Sequence, residues 1–387
     1  MVALMVLVTN GTWVQHDNNV ATKAALLLVL AIFFIYKGIK KQLSLPNALV
    51  GFFVLFPIIS TYFVNLSQNA NVVNIINTSI LLLLFSFLPL SVLNRLFELY
   101  SRMIYFLVCV AVPLGILFLA APQLLEKMPV VYSPFFDVAG GHWYNLIVYT
   151  ERSINDFRVQ SVFWEPGAWA YNQMVAFYYL IFIKQEYKKI PVFLLSILLT
   201  LSTSGLLACF ICLLPLLGKF KKSSLLIGGA VFIVLVGIVG YVIASNEILS
   251  QIFYQNTIGK FSSDHVSFEE RTTTAANAFN IANEHWLFGI GRMDSDSFMY
   301  VTSSISEIAY QLGYLYLFVY LLVFLQVFKN MGWLLAIPFC FIILNSEAYS
   351  FFSLNIFLVV LGSKMLLLKK PLWQQGSKEH FRTVTAV

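Results

Sequence analysis

Charge is scarce in this 387-residue chain. Asp, Glu, Lys and Arg make up 11% of it, against roughly 25% in a soluble domain. Hydrophobic residues reach 59% and the mean hydropathy is +0.81. A water-soluble fold cannot hide that much apolar surface, so lipid must be the solvent for most of it. Cysteine is also scarce: Cys109, Cys209, Cys212 and Cys340 all fall in apolar runs. Cys209 and Cys212 have redox-motif spacing without a polar setting, and read as small apolar packers. The first nine residues lack a basic leader and do not read as a cleavable signal peptide. Internal repeats and low-complexity segments are absent.

What is present is a series of apolar runs rich in Phe, of which there are 36. They predict helices over 20–36, 46–64, 72–94, 103–121, 166–183, 190–203, 205–217, 223–244, 301–327, 331–345 and 347–368. With 1–9 included this makes about eleven to twelve spans, at about 20 residues per crossing. The expected architecture is an all-α, polytopic integral membrane protein, a single membrane domain over 1–387. Two long loops interrupt it, at 122–165 and 245–300, and loops of that length usually carry function.

The net charge of +6 sits in short clusters between apolar runs, which excludes a nucleic-acid partner and sets topology instead. One set of loops holds Lys37, Lys40, Lys41, Arg95, Arg102, Lys184, Lys188, Lys189, Lys329 and Lys364. The alternate set holds most of the acids, with Glu126, Glu151, Glu165 and Glu284 among them. The basic set is assigned to the cytoplasm. This requires 190–217 to be a hairpin that reaches outward and returns, broken at Leu201-Ser202-Thr203-Ser204-Gly205.

Four arginines break the charge rule on the outer side: Arg152, Arg158, Arg271 and Arg292. The guanidinium fork suits bidentate contact with phosphate or carboxylate. Pairing with neighbours is the plainer alternative for two of them, because Glu151 abuts Arg152 and Glu270 abuts Arg271. Arg158 opens Arg158-Val-Gln-Ser-Val-Phe-Trp-Glu-Pro, in which Glu165 and Pro166 form a helix start. Arg271 leads a stretch toward Gly289-Ile290-Gly291-Arg292, where glycines allow close backbone approach to a ligand.

The Arg-x-x-(small)-x-Phe-x-Glu-Pro pattern resembles an outer-loop motif of Wzy-type O-antigen and capsule repeat-unit polymerases. Arg271 with Gly289-Ile290-Gly291 resembles the second large outer loop of the O-antigen polymerase and ligase superfamily. The Ser202–Gly205 hairpin and the helix opening at Glu307 are also similar, so the resemblance spans about 150–315. It implies a glycosyltransferase of the type C kind in the bacterial inner membrane, working at the periplasmic face. Donor and acceptor would be glycans on undecaprenyl pyrophosphate. Membrane lipid and a chain-length regulator are the further partners, and neither cofactor nor metal is required. The resemblance assigns catalysis to Arg158, Arg271 and Glu165, and substrate binding to Arg152, Arg292, Gly289, Gly291 and Glu307. The two leading arginines, Arg158 and Arg271, are expected to converge on one cavity and stabilise the departing pyrophosphate. No His follows Gly291 directly, since the stretch reads Arg292-Met-Asp-Ser-Asp-Ser-Phe, and this favours polymerase over ligase. Asp294 and Asp296 read as a solvated pair, and so does Asp17 in the first outer loop. The rival class is a transporter or lipid-linked-oligosaccharide flippase. It is disfavoured because ionisable residues fall at helix ends or in loops.

Overall fold

The computed structural model describes residues 1–12, 14, 19–64, 72–132, 142–146, 149–151, 158–217, 237, 250, 254, 266–292, 301, 303–346, 348 and 350–368. Their helices are α1 (Val2–Val8), α2 (Asn19–Ile39), α3 (Ala48–Val64), α4 (Val72–Ser86), α5 (Leu90–Ala120), α6 (Pro166–Tyr178), α7 (Ile190–Thr200), α8 (Thr203–Leu217), α9 (Val266–Glu284), α10 (Ser304–Phe328), α11 (Trp333–Ser346) and α12 (Ser353–Leu368). Three helical stretches are long and apolar enough to cross a membrane: Ala21–Ile39, Leu90–Ala120 and Ser304–Met331. Five shorter apolar helices accompany them. The chain is a helical integral membrane protein. The span expected at 223–244 lies outside the described residues, apart from Gly237.

Helix α10 is central, packed by α9, α11 and α12. Tyr316, Tyr320, Phe324 and Phe328 recur every four residues along it, so they share one face. Successive ring centroids lie 6.5, 5.6 and 5.4 Å apart. Helix α12 approaches closely because Gly362 has no side chain: a Cβ there would meet the Val323 carbonyl oxygen at 2.2 Å. Small residues allow such backbone contact between membrane helices.

The expected hairpin is present. Helices α7 and α8 have 11 and 15 residues, or about 17 and 22 Å at 1.5 Å per residue. Both fall short of the roughly 30 Å hydrocarbon core. Leu201 turns the chain in the left-handed region at φ 49°, and the Ser202 N–H donates to Thr200 Oγ1 at 3.1 Å. Gly205 is not in the turn but inside α8, where a Cβ would lie 2.8 Å from Ala170 Cβ of α6.

Two expectations need correction, and the first long loop holds structure of its own. Arg95 and Arg102 do not sit in a loop between two spans; they lie on the continuous 31-residue α5. Pro89, extended at φ −64° and ψ 154°, separates α4 from α5. Beyond it, Arg95, Glu98 and Arg102 pair along one helix face, at 3.5 Å for Arg95 and 3.0 Å for Arg102. Helix α1, with seven residues, is about 10 Å long and does not cross. The first long loop is not purely irregular. A turn of 3-10 helix, Pro122–Lys127, leads into an antiparallel sheet of β1 (Val130–Tyr132), β2 (His142–Asn145) and β3 (Thr150–Glu151), in that order.

The two ends of the bundle differ in charge. One end gathers Lys37, Arg95, Arg102, Lys184, Lys189 and Lys364, and all five ion pairs among the described residues are there. The other end carries residues 121–132 and 158–165, the hairpin turn and residues 285–292.

Candidate functional site

The site begins with a break in a helix. Gly313 has φ 75° and ψ 173°, interrupting α10 after two turns. In an unbroken helix the carbonyls of Tyr310 and Gln311 would accept from residues 314 and 315. Here they accept from the loop that follows α9: Ile290 N–H donates to Tyr310 O at 2.9 Å and Gly291 N–H to Gln311 O at 3.0 Å. The freed Tyr314 N–H donates in turn to Trp286 O at 2.7 Å. Loop and helix thus satisfy each other's backbone, as burial demands.

Glycine is needed on both sides of this junction. A Cβ on Gly289, at φ 63°, would lie 2.4 Å from the Gln311 carbonyl carbon and oxygen; one on Gly313 would lie 2.5 Å from Leu287 O. Gly289 and Gly291, expected to allow close approach to a ligand, bring their backbones against α10. Their role is to deliver the next residue, Arg292.

Arg292 is 8% exposed. Its backbone N–H donates to Thr61 Oγ1 of α3 and its Nη1 to Thr78 Oγ1 of α4, both at 3.0 Å. The guanidinium carbon stands 3.6 Å from the Phe351 ring centroid, a cation–π contact. Burial pushes its pKa down to about 10, outweighing the nearby Glu307 carboxylate. It therefore stays cationic at neutral pH. No ion pair holds Arg292 among the described residues.

Glu307 lies in the first turn of α10. Ser350 faces its carboxylate, and the Ser350 hydroxyl donates to Ser304 O at 3.0 Å. The second carboxylate oxygen, Oε2, is buried without a hydrogen-bond partner among the described residues. Lys23 of α2 completes the group. Its Nζ donates to Asn74 Oδ1 of α4 at 3.3 Å, and it lies within electrostatic reach of Arg292. Two cations and a carboxylate with spare hydrogen-bonding capacity thus meet at one end of α2, α3, α4 and α10. The sequence reading missed Lys23, Thr61, Asn74 and Thr78. The available signal was Asn74 and Thr78 one turn apart in the polar first half of α4.

A second corner holds Arg158 and Glu165. Arg158 Nε donates to Thr200 O at 3.1 Å and Val159 N–H to Leu199 O at 3.0 Å, docking this segment on the hairpin turn. Glu165 is the N-cap of α6, with Pro166 in its first turn, as expected. It makes no side-chain capping bond, and its buried Oε1 has no partner among the described residues.

The two corners adjoin through α1 and α12. Trp164 N–H donates to Gly11 O at 3.1 Å, just past α1. One residue back, Asn10 Oδ1 accepts from Leu354 N–H at 3.2 Å, and Asn10 Nδ2 donates to Asn172 Oδ1 at 2.7 Å. Asn172 also accepts from Tyr100, and Asn355 from Tyr171. Phe351, against Arg292, lies two residues before the start of α12.

Arg271 is in the second turn of α9; its side chain, and the whole of Arg152, lie outside the described residues, as do Asp17, Asp294 and Asp296. The expected convergence of Arg158 and Arg271 therefore concerns a side chain that is not described. Of the four expected arginines, the one whose described side chain comes within electrostatic reach of an acid on another element is Arg292, near Glu307. Among the described residues no three His, Cys, Asp or Glu side chains cluster to hold a metal ion. No family model matches the chain, nor does any curated protein or solved structure compared with it.

Proposed function

We propose that this protein polymerises undecaprenyl-pyrophosphate-linked oligosaccharide repeat units, by glycosyl transfer at the periplasmic face of the bacterial inner membrane. The observation that carries this reading is Arg292, buried without an ion-pair partner among the described residues, near Lys23 and Glu307. Two cations with unspent charge suit a pyrophosphate group, and a carboxylate with a free oxygen suits a sugar hydroxyl. In the reaction the acceptor hydroxyl oxygen attacks the anomeric carbon of the donor. The bond from that carbon to the pyrophosphate oxygen breaks, and its electron pair leaves with the pyrophosphate. Arg292 and Lys23 stabilise the charge that develops there. The hydroxyl proton passes to a carboxylate, Glu307 or Glu165. Arg158, Arg271 and Arg152 extend the anion-binding surface.

The test is a deletion strain complemented with variants at matched protein levels, read as polymer length on a gel. Deletion is expected to leave surface glycan capped with single repeat units. Arg292→Ala is expected to give the same result, and Arg292→Lys to shorten the ladder. Wild-type ladders from Arg292→Ala and Lys23→Gln would end the proposal.

The break in α10 favours a second reading, a lipid-linked-oligosaccharide flippase, because interrupted helices with charges beside them are common in transporters. The same strain separates the two. A missing polymerase strands single repeat units on the outer face, and a missing flippase strands them on the inner face.

A further inference from the structure

A cleft of about 900 Å³ opens at the basic end of the bundle, far from Arg292. Its walls come from α1, α2 and the start of α5. They are apolar, with Val2, Val29, Phe33 and Leu96 among them, and two cations line it, Lys37 and Arg95. We propose that this cleft binds an anionic phospholipid of the adjoining leaflet, with acyl chain in the cleft and headgroup between Lys37 and Arg95.

Three observations carry the assignment. The cleft is continuous with lipid-facing surface, because Ile32 and Tyr36 line it and are 59% and 48% exposed. An acyl chain can therefore enter sideways without crossing a polar barrier. The charge is complementary to an anion. At this end Glu98 and Glu186 are the acids of α5 and the turn after α6, and they already serve Arg102, Lys184 and Lys189. Among the described residues Arg95 has only the 3.5 Å contact to Glu98, and its side chain is 67% exposed. Lys37 has a neutral partner, Gln42 Oε1 at 2.8 Å, and stacks 5.6 Å from the Phe33 ring. Lastly, Lys40 and Lys41 follow in the same turn region, so the rim is basic on the side where the headgroup would sit. Basic pockets between membrane helices recognise anionic headgroups in this way. The site is independent of the polymerase reading.

The experiment uses the full-length protein in nanodiscs of phosphatidylcholine with and without phosphatidylglycerol, followed by native mass spectrometry of the lipid retained. Wild-type protein is expected to retain phosphatidylglycerol over phosphatidylcholine. The K37Q/R95Q double variant should lose that preference by about thirtyfold, at about 1 kcal/mol for each basic residue near the surface. Lys188→Gln, a change at the same end but outside the cleft walls, should leave it intact. Ser91→Trp, which fills the cleft without changing charge, should expel both lipids. An equal preference in wild type and K37Q/R95Q would overturn the proposal. So would loss of the preference in Lys188→Gln, which would make it a property of the whole basic end. Retention in Ser91→Trp would place the lipid elsewhere.

Discussion

Glu98 and Glu307 are both carboxylates on apolar helices, yet they live differently. Glu98 on α5 is held by Arg95, Arg102 and Lys184, the last at 2.6 Å. Glu307 on α10 has Ser350 beside one oxygen and nothing on the other among the described residues. The same contrast holds for arginine: Arg102 bridges two acids at 3.0 Å each, whereas buried Arg292 rests on two threonine hydroxyls and a ring. Charges fully engaged by neighbours fasten elements together. Charges taken out of water with capacity unused are costly unless something else completes them. The cluster around Glu98 is thus read as a clasp, the corner around Arg292 as a receptor.

The comparison can be broken at its scaffold first. Gly313→Ala forces a side chain into the left-handed region and against the Leu287 carbonyl. It is expected to cost about 3 kcal/mol, seen as a lower thermal midpoint in detergent together with lost polymer. A midpoint equal to wild type would mean that the break is not needed to seat Arg292. Glu98→Gln removes a shared partner from three cations and should destabilise by about 2 kcal/mol, since the cluster is partly open to water. Polymer made per folded molecule should stay near wild type, because this end is not the site. A large loss per folded molecule would erase the distinction between the ends.

Two smaller effects sharpen it. Arg292→Lys keeps the charge but loses the planar stacking and the fork. Transfer should fall about tenfold, or about 1.4 kcal/mol, with the larger change in kcat if the contact belongs to the transition state. Arg158→Ala removes one hydrogen bond to the hairpin turn, and about 1 kcal/mol of stability should go with it. A loss of polymer far beyond that stability change would mark Arg158 as an anion-binding residue as well as a brace.

Much of the scaffold was legible in the sequence. Leu201-Ser202-Thr203-Ser204-Gly205 announced the hairpin because polar groups and glycine interrupt two runs too short to span. Glu165-Pro166 announced the start of α6 because proline fits a first helical turn. Arg95 and Arg102 misled, because charges that look like a loop also fit an extended helix when Glu98 lies at matching spacing. The break in α10 was hidden, since Gln311-Leu312-Gly313-Tyr314 reads as helix with one tolerated glycine. Only the incoming loop at 286–291 makes the positive φ of Gly313 sustainable. The polar floor under Arg292 was hidden for another reason. Lys23, Thr61 and Thr78 belong to three different helices, and no local pattern joins them.

The shortness of α8 and α11 bears on the membrane itself. These two helices pack against each other and have 15 and 14 residues, about 21–22 Å of length, beside a hydrocarbon core of about 30 Å. Where lipid meets helices of that described length, matching them costs a fraction of a kcal/mol per Å. Trp333, half exposed at one end of α11, is an interfacial anchor of the kind that fixes where the boundary falls. A lipid chain beside that flank would thus meet less apolar height than it does along the 28-residue stretch Ser304–Met331.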